Sequence, residues 1–266
     1  NYGTSVGHTA LRYYLQKGGG EAGLAALRDP AEKFRAPEAD QPIPAAAYPR
    51  LASLLEQGLH DGAIGIGSGT QYAQGITRRE MLDVTRVAGR EGACLFTHIR
   101  YGSLVEPGST LEAIQENVAN AAMTGACVHI AHINSMAMSQ APAMVELMRA
   151  ARGRGIDLST ETYPWGGSVD AVRSHFFDPG WEARWGVAVD ALQSRQDGRR
   201  LTQAEFDALR SGQGDDRVIM HLNGEATLIA LLRDPLVIVA CSSIPPRSAA
   251  GQPTASRRAT PTASGS

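Results

Sequence analysis

Apolar and polar positions along the chain fall into two alternating rhythms. Short β-rich runs stand at 4–12 ("TSVGHTALR"), 62–69, 93–99 ("ACLFTHI"), 127–133 ("CVHIAHI"), 156–164, 217–223 and 236–242. They are apolar on both faces, as strands are when helices cover a parallel sheet. Helical patterns lie between several of them. Leu51, Leu54, Leu55 and Leu59 recur at i, i+3, i+4 and i+8, the stripe of an amphipathic helix. Thr77 with Glu80, and Ser109 with Glu112, have the spacing of capping boxes, and their helices are expected to close at Gly89 or Gly92 and at Gly125. A fourth pattern runs through "SQAPAMVELMRAARGRG". Strand, helix and strand in succession predict an α/β fold with a parallel sheet.

Two segments break the rhythm. Residues 18–49 read as a helical piece followed by a Pro/Ala-rich loop. Residues 241–266 are Ser, Ala, Pro, Thr, Gly and Arg with Ile244 as the only large aliphatic, too little apolar area to offset ordering entropy. The expected organisation is therefore a folded unit over 1–240 and a disordered tail over 241–266.

Composition narrows the function classes. At 266 residues and 43% hydrophobic, the chain can bury a core the size of one α/β barrel. A net charge of −2 gives no electrostatic footprint for nucleic acid or an anionic membrane. Three cysteines without CxxC spacing argue against a disulfide framework or a zinc knuckle, so Cys94 and Cys127, early in their strands, read as inert buried thiols. No apolar run approaches the ~20 residues that span a bilayer, and no targeting segment opens the chain, which points to the cytoplasm. The first residue is Asn1 rather than Met. Nothing here indicates an oligomeric state.

The candidate chemistry sits at strand ends. Alternation puts Cys94, Phe96 and His98 on one strand face, with His98 last. The same alternation puts Val128, Ile130 and His132 together, again with a histidine last, and turns His129 toward the helices as a structural residue. Two imidazoles at equivalent ends of consecutive parallel strands can converge on one cation. His8 reads either as a pocket residue or as a hydrogen-bonded core histidine. "GIGSG" lacks the third glycine and early helix of a dinucleotide loop, and no GxSxG elbow frames Ser68. Tyr72 and Tyr163, at or just beyond strand ends, could orient a substrate carboxylate or simply pack.

Taken as a set and in order, "VGHTALR", "GAIGIGSGTQYAQG", "FTHIR", "VHIAHINS", "LSTETYPW" and "DPLVIVA" resemble the D-aminoacylase group of the amidohydrolase superfamily. "THIRY…EPG", "HINS", "ETYP" and "FFDPGW" resemble its N-acyl-D-glutamate deacylase branch more narrowly. The resemblance covers roughly residues 3 to 240. It implies a metal-dependent (β/α)8 TIM barrel, here a partial one of about strands three to eight, and hydrolysis of N-acyl-D-amino acids, acidic ones preferred. By resemblance, His98 and His132 match two zinc ligands, and Tyr72 and Tyr163 match tyrosines of the substrate site. Asn134 stands where many D-aminoacylases have a lysine that touches the substrate carboxylate. Arg100, Arg173 and Asn134 are the candidates for binding substrate carboxylates. The family's HxH and metal-binding cysteine lie upstream of "VGHTALR", and its "SDG" after "VIVA" is replaced by Cys241, Ser242 and Ser243. The expectation is thus an incomplete amidohydrolase with an impaired site and an unidentified general base; Glu161 faces the pocket by alternation. The alternatives are another hydrolase of linear or cyclic amides, or a non-catalytic remnant that keeps a small-molecule pocket.

Overall fold

The computed structural model describes residues 3–28, 37–212 and 216–240. The tail over 241–266, and part of the loop expected within 18–49, lie outside the described residues. Six strands form one all-parallel sheet: β1 (Val6–Gly7), β2 (Gly65–Gly69), β3 (Cys94–His98), β4 (Cys127–Ile130), β5 (Leu158–Thr162) and, after an excursion, β9 (Val237–Val239). Their order in the sheet is their order in the chain. This is the parallel sheet expected from the βα grammar, and it is compatible with the partial barrel that the resemblance implies.

Helices α1 (His8–Gln16), α2 (Gly20–Leu27), α3 (Tyr48–His60), α4 (Arg78–Arg90), α5 (Thr110–Thr124), α6 (Ile133–Ala137) and α7 (Ala141–Arg152) connect these strands. The capping signals hold. The Thr77 side chain accepts from Glu80 N at the start of α4, and Ser109 with Glu112 closes a full box at the start of α5. Gly125 ends α5 at φ +71°, a left-handed turn that a Cβ would oppose. Leu51 and Leu55 of α3 are buried, so its apolar stripe faces the sheet. The outward sheet face (Ile66, Leu95, Val128, Ile130 and Leu158) is fully buried against α3, α4, α5 and α7. The opposite face is only partly covered, and Cys94, Phe96 and Cys127 there remain half-exposed.

Four expectations are revised. First, the run at 217–223 belongs to another layer. A three-stranded antiparallel sheet pairs β6 (Gly167–Ala171) and β7 (Leu192–Ser194) with β8 (Arg217–His221). With α8 (Trp181–Trp185) and α9 (Gln203–Ser211) it encloses its own core of Val172, Phe177, Trp181, Trp185, Phe206 and Val218. The last helix among the described residues, α10 (Glu225–Leu232), then leads back to β9.

Second, β1 ends at Gly7 and His8 opens α1, completely buried between Ser68 Oγ (2.9 Å) and Glu80 Oε1 (3.0 Å). It is the hydrogen-bonded core histidine. Third, Cys94 and Cys127 are register partners in β3 and β4 with Cα atoms 4.6 Å apart, and they form a disulfide rather than two thiols. Spacing along the chain could not reveal it, because the parallel register supplies the proximity. Fourth, Cys127 and His129 share the inner face with Cys94 and Phe96, whereas Val128 and Ile130 face the helices. The two faces of β4 are thus the reverse of those expected. No described helix is long and apolar enough to cross a membrane.

Candidate functional site at the strand ends

His98 is the last residue of β3, and its ring centroid lies 4.6 Å from that of His132, with the rings inclined at 70°. Alternation does not bring His132 there. It follows the end of β4 with φ +31° and ψ 66°, a left-handed residue preceding α6, and this turn returns its side chain to His98. Non-glycine residues adopt that conformation at a cost, and such outliers concentrate at functional sites.

The pair is held from several sides. Tyr72 Oη lies 3.2 Å from His98 Nε2, with ring centroids 4.6 Å apart. His132 Nδ1 lies 2.7 Å from Ser135 Oγ, and the Tyr163 ring stands 5.2 Å away. Asn134 is buried; its side-chain oxygen accepts from Tyr163 N at 3.3 Å, so it supports Tyr163. Burial, reinforced by neighbouring His132, pushes the His98 imidazole well below its ordinary pKa. Burial also lowers His132, against the pull of Glu161. Both imidazoles are thus neutral near pH 7, as metal ligation requires. His98 Nδ1 is buried with no hydrogen-bond partner. This donor set fits two positions of a metal's coordination shell. No cluster of three or more His, Cys, Asp or Glu side chains among the described residues could hold a metal, so the other positions have no described ligand.

Two features escape a reading of the sequence alone. Asp170, on β6, lines a small pocket of about 60 Å³ with His98, His132, Tyr72 and Tyr163. It also lines the adjoining cleft of about 940 Å³. Burial raises its pKa to about 6 although Ala171 N donates to it at 2.7 Å. Burial, and then the Asp170 charge, push the Tyr72 phenol above its ordinary value, so Tyr72 stays protonated. No periodicity marks "GSVDA" as a wall of the site. The second feature is a polar chain on the inner sheet face. Ser159 Oγ lies 2.8 Å from His129 Nδ1, and His129 Nε2 lies 3.4 Å from Glu161 Oε2. The hydrogen bond with His129 holds Glu161 below its ordinary pKa.

The remaining candidates are placed differently. Arg100 forks onto Glu116 (Nε to Oε2 3.0 Å, Nη2 to Oε1 2.9 Å), and both side chains are nearly buried. Arg173 pairs with Asp216 at 3.1 Å and also donates to the Gly212 carbonyl. Both arginines line the large cleft, but their guanidinium groups already have protein partners.

The architecture is therefore a parallel, barrel-type α/β sheet with paired histidines at its strand ends, and the fold is that of the D-aminoacylase-like amidohydrolases. The N-acyl-D-glutamate deacylase of Bordetella bronchiseptica, solved with zinc and a phosphonate mimic of the reaction's tetrahedral intermediate, matches with a TM-score of 0.61 at 16% identity over 89% of this chain. A D-aminoacylase mutant in complex with copper chloride matches with a TM-score of 0.61 at 18% identity over 78% of this chain. A further D-aminoacylase structure, described as defining a novel subset of amidohydrolases, gives 0.58 at 19% identity over the same share. The chain spans 63% of the length of the deacylase and 45% of each D-aminoacylase. No protein-family model and no curated protein matches the sequence.

Proposed function

We propose that this chain belongs to a metal-dependent hydrolase of linear amides that acts on N-acyl-D-amino acids, acidic ones preferred. The observation that carries the reading is the convergence of His98 and His132 at neighbouring parallel strand ends, 4.6 Å between centroids, beside Tyr72 and Tyr163. Likeness of fold to a zinc-bound D-glutamate deacylase supports the choice of substrate.

His98 and His132 would hold a zinc ion by their neutral imidazoles, and zinc bound there supplies Lewis acidity to the acyl carbonyl and lowers the pKa of bound water to about 7. Tyr72, kept protonated, donates a hydrogen bond within the pocket, and Tyr163 orients the substrate from the His132 side. Asp170 is the carboxylate in the pocket, and a pKa of about 6 suits proton transfer near neutral pH. It would take the proton of the attacking water as the water's oxygen bonds to the acyl carbon. It would then return that proton to the amine nitrogen as the C–N bond breaks. Glu161 lies on the inner face and is held by His129, which suits it to fixing the strand ends rather than to proton transfer. Two described ligands are one short of the three usual in catalytic zinc sites, so metal retention and turnover are expected to be weak.

That same shortage favours one alternative, a binding module that keeps the pocket without the reaction. Amine release from N-acetyl-D-glutamate, with and without zinc, tests the proposal in the wild type, His98→Ala and His132→Ala. Zinc-dependent turnover lost in both variants supports it. Turnover that ignores zinc or survives His98→Ala overturns it, and ligand binding without turnover favours the module.

A further inference from the structure

His132 caps the start of the short helix α6, and Ser135 stands three residues on, on the same side of the turn. The Ser135 hydroxyl touches His132 at two points. It donates to the His132 carbonyl at 3.0 Å and lies 2.7 Å from His132 Nδ1. The same carbonyl also accepts from Ser135 N at 3.0 Å. A hydroxyl carries one proton and a carbonyl none. Both contacts are hydrogen bonds only if the hydroxyl proton goes to the carbonyl. The ring must then supply the other proton, from Nδ1–H to Oγ.

That assignment decides which nitrogen of His132 is the base. A neutral imidazole protonated on Nδ1 has its lone pair on Nε2. Among the described residues, no hydrogen bond reaches His132 Nε2, and the reverse assignment would leave an Nε2–H without an acceptor. His132 and Ser135 both line the small pocket beside His98. The hydroxyl bridges the ring and the backbone of a single residue at φ +31°, so it restrains the ring and the left-handed turn together. His98 is arranged differently, with Tyr72 Oη at its Nε2 and no partner at its Nδ1. Ser135 thus acts on one member of the pair. A ligating histidine whose second nitrogen donates to a fixed acceptor is held in one tautomer and is the stronger ligand.

We propose that Ser135 is a positioning residue for His132, holding the ring proton on Nδ1 and so keeping the Nε2 lone pair for a metal ion. The inference rests on the metal-site reading of the pocket given above and names the group that prepares one of its two histidines.

Two measurements on the full chain test this near neutral pH. Long-range proton–nitrogen NMR of the isotope-labelled, metal-free protein reads the tautomer, with the His132 signals assigned by their loss in His132→Ala. Calorimetric titration with zinc reads affinity. The wild type is expected to carry the His132 proton on Nδ1. In Ser135→Ala the ring should revert toward the Nε2–H form that free histidine favours in water, with the His98 signals unmoved. Zinc affinity should fall about 10- to 100-fold, the usual loss when the partner of a ligating histidine is removed. Ser135→Thr keeps the hydroxyl and should restore both readouts, and Ser139→Ala, at an exposed serine on the same segment, should change neither. If Ser135→Ala does not fold, Ser135→Gly takes its place beside the wild-type tautomer. If zinc does not bind the wild type, yet the Nδ1–H form is present and is lost in Ser135→Ala, the metal-site reading fails and the hold of Ser135 on the ring stands. A wild-type His132 protonated on Nε2, a tautomer that Ser135→Ala leaves unchanged, or zinc binding that is insensitive to that substitution overturns the proposal.

Discussion

The rings of His98 and His132 meet 4.6 Å apart because His132 is a left-handed residue at φ +31°, set just beyond the end of β4. Glycine adopts that conformation about 1 kcal/mol more cheaply than a residue with a Cβ. His132→Gly is therefore expected to be about 1 kcal/mol more stable than His132→Ala by urea denaturation, while both lose zinc uptake by equilibrium dialysis. If the alanine variant is the more stable of the two, the left-handed turn is wrong.

Asp170 makes stability depend on pH with a definite sign. Its carboxyl titrates at about 6 when folded against an ordinary aspartate value of 3.8, so between those values the folded state keeps a proton that the unfolded state has lost. Its contribution favours folding at low pH, falls as pH rises from about 4 to about 6, and is flat above. Asp170→Asn removes the effect. The stability advantage of the variant should grow through that window to about 3 kcal/mol. A difference that does not vary with pH would reject the shift.

The Arg100–Glu116 fork is close to fully buried, at 10% and 7% side-chain exposure. Removing one partner strands the other charge, and Arg100→Gln or Glu116→Gln should each cost about 3–5 kcal/mol. The paired change to Met and Leu should cost much less. Equal losses in single and paired variants, measured by chemical denaturation, would show that the pair is not coupled.

Strand β9 is an edge of the parallel sheet, and Ile238 and Val239 are each 55% exposed on it. Exposed apolar edges template association. Light scattering should show concentration-dependent association that Ile238→Lys reduces. A monodisperse monomer whose behaviour is unchanged by that substitution would dismiss the edge as a contact.

The bridge between Cys94 and Cys127 leaves Cys241 as the only other cysteine in the chain. Thiol titration of the denatured, unreduced protein should find one reactive thiol, rising to three after reduction. Three before reduction would mean the bridge does not form.

The sequence alone determined the parallel α/β plan, because hydrophobic period and capping chemistry act over a few residues. The starts of α4 and α5 at Thr77 and Ser109, and the strands ending near His98 and Thr162, follow from such local signals. It also placed His98 and His132 at consecutive strand ends. Tertiary structure decided what local signals cannot carry. The face on which His129 lies depends on the register of β4 against β3, and the Cys94–Cys127 bridge depends on the same pairing. Whether Arg100 was free for a ligand depended on Glu116, sixteen residues away across a loop and a helix turn. Asp170 lines the histidine pocket only because a separate antiparallel layer, which carries it on β6, lies beside the strand ends. Local periodicity reports which residues seek burial; which charges meet depends on contacts that only the folded chain makes.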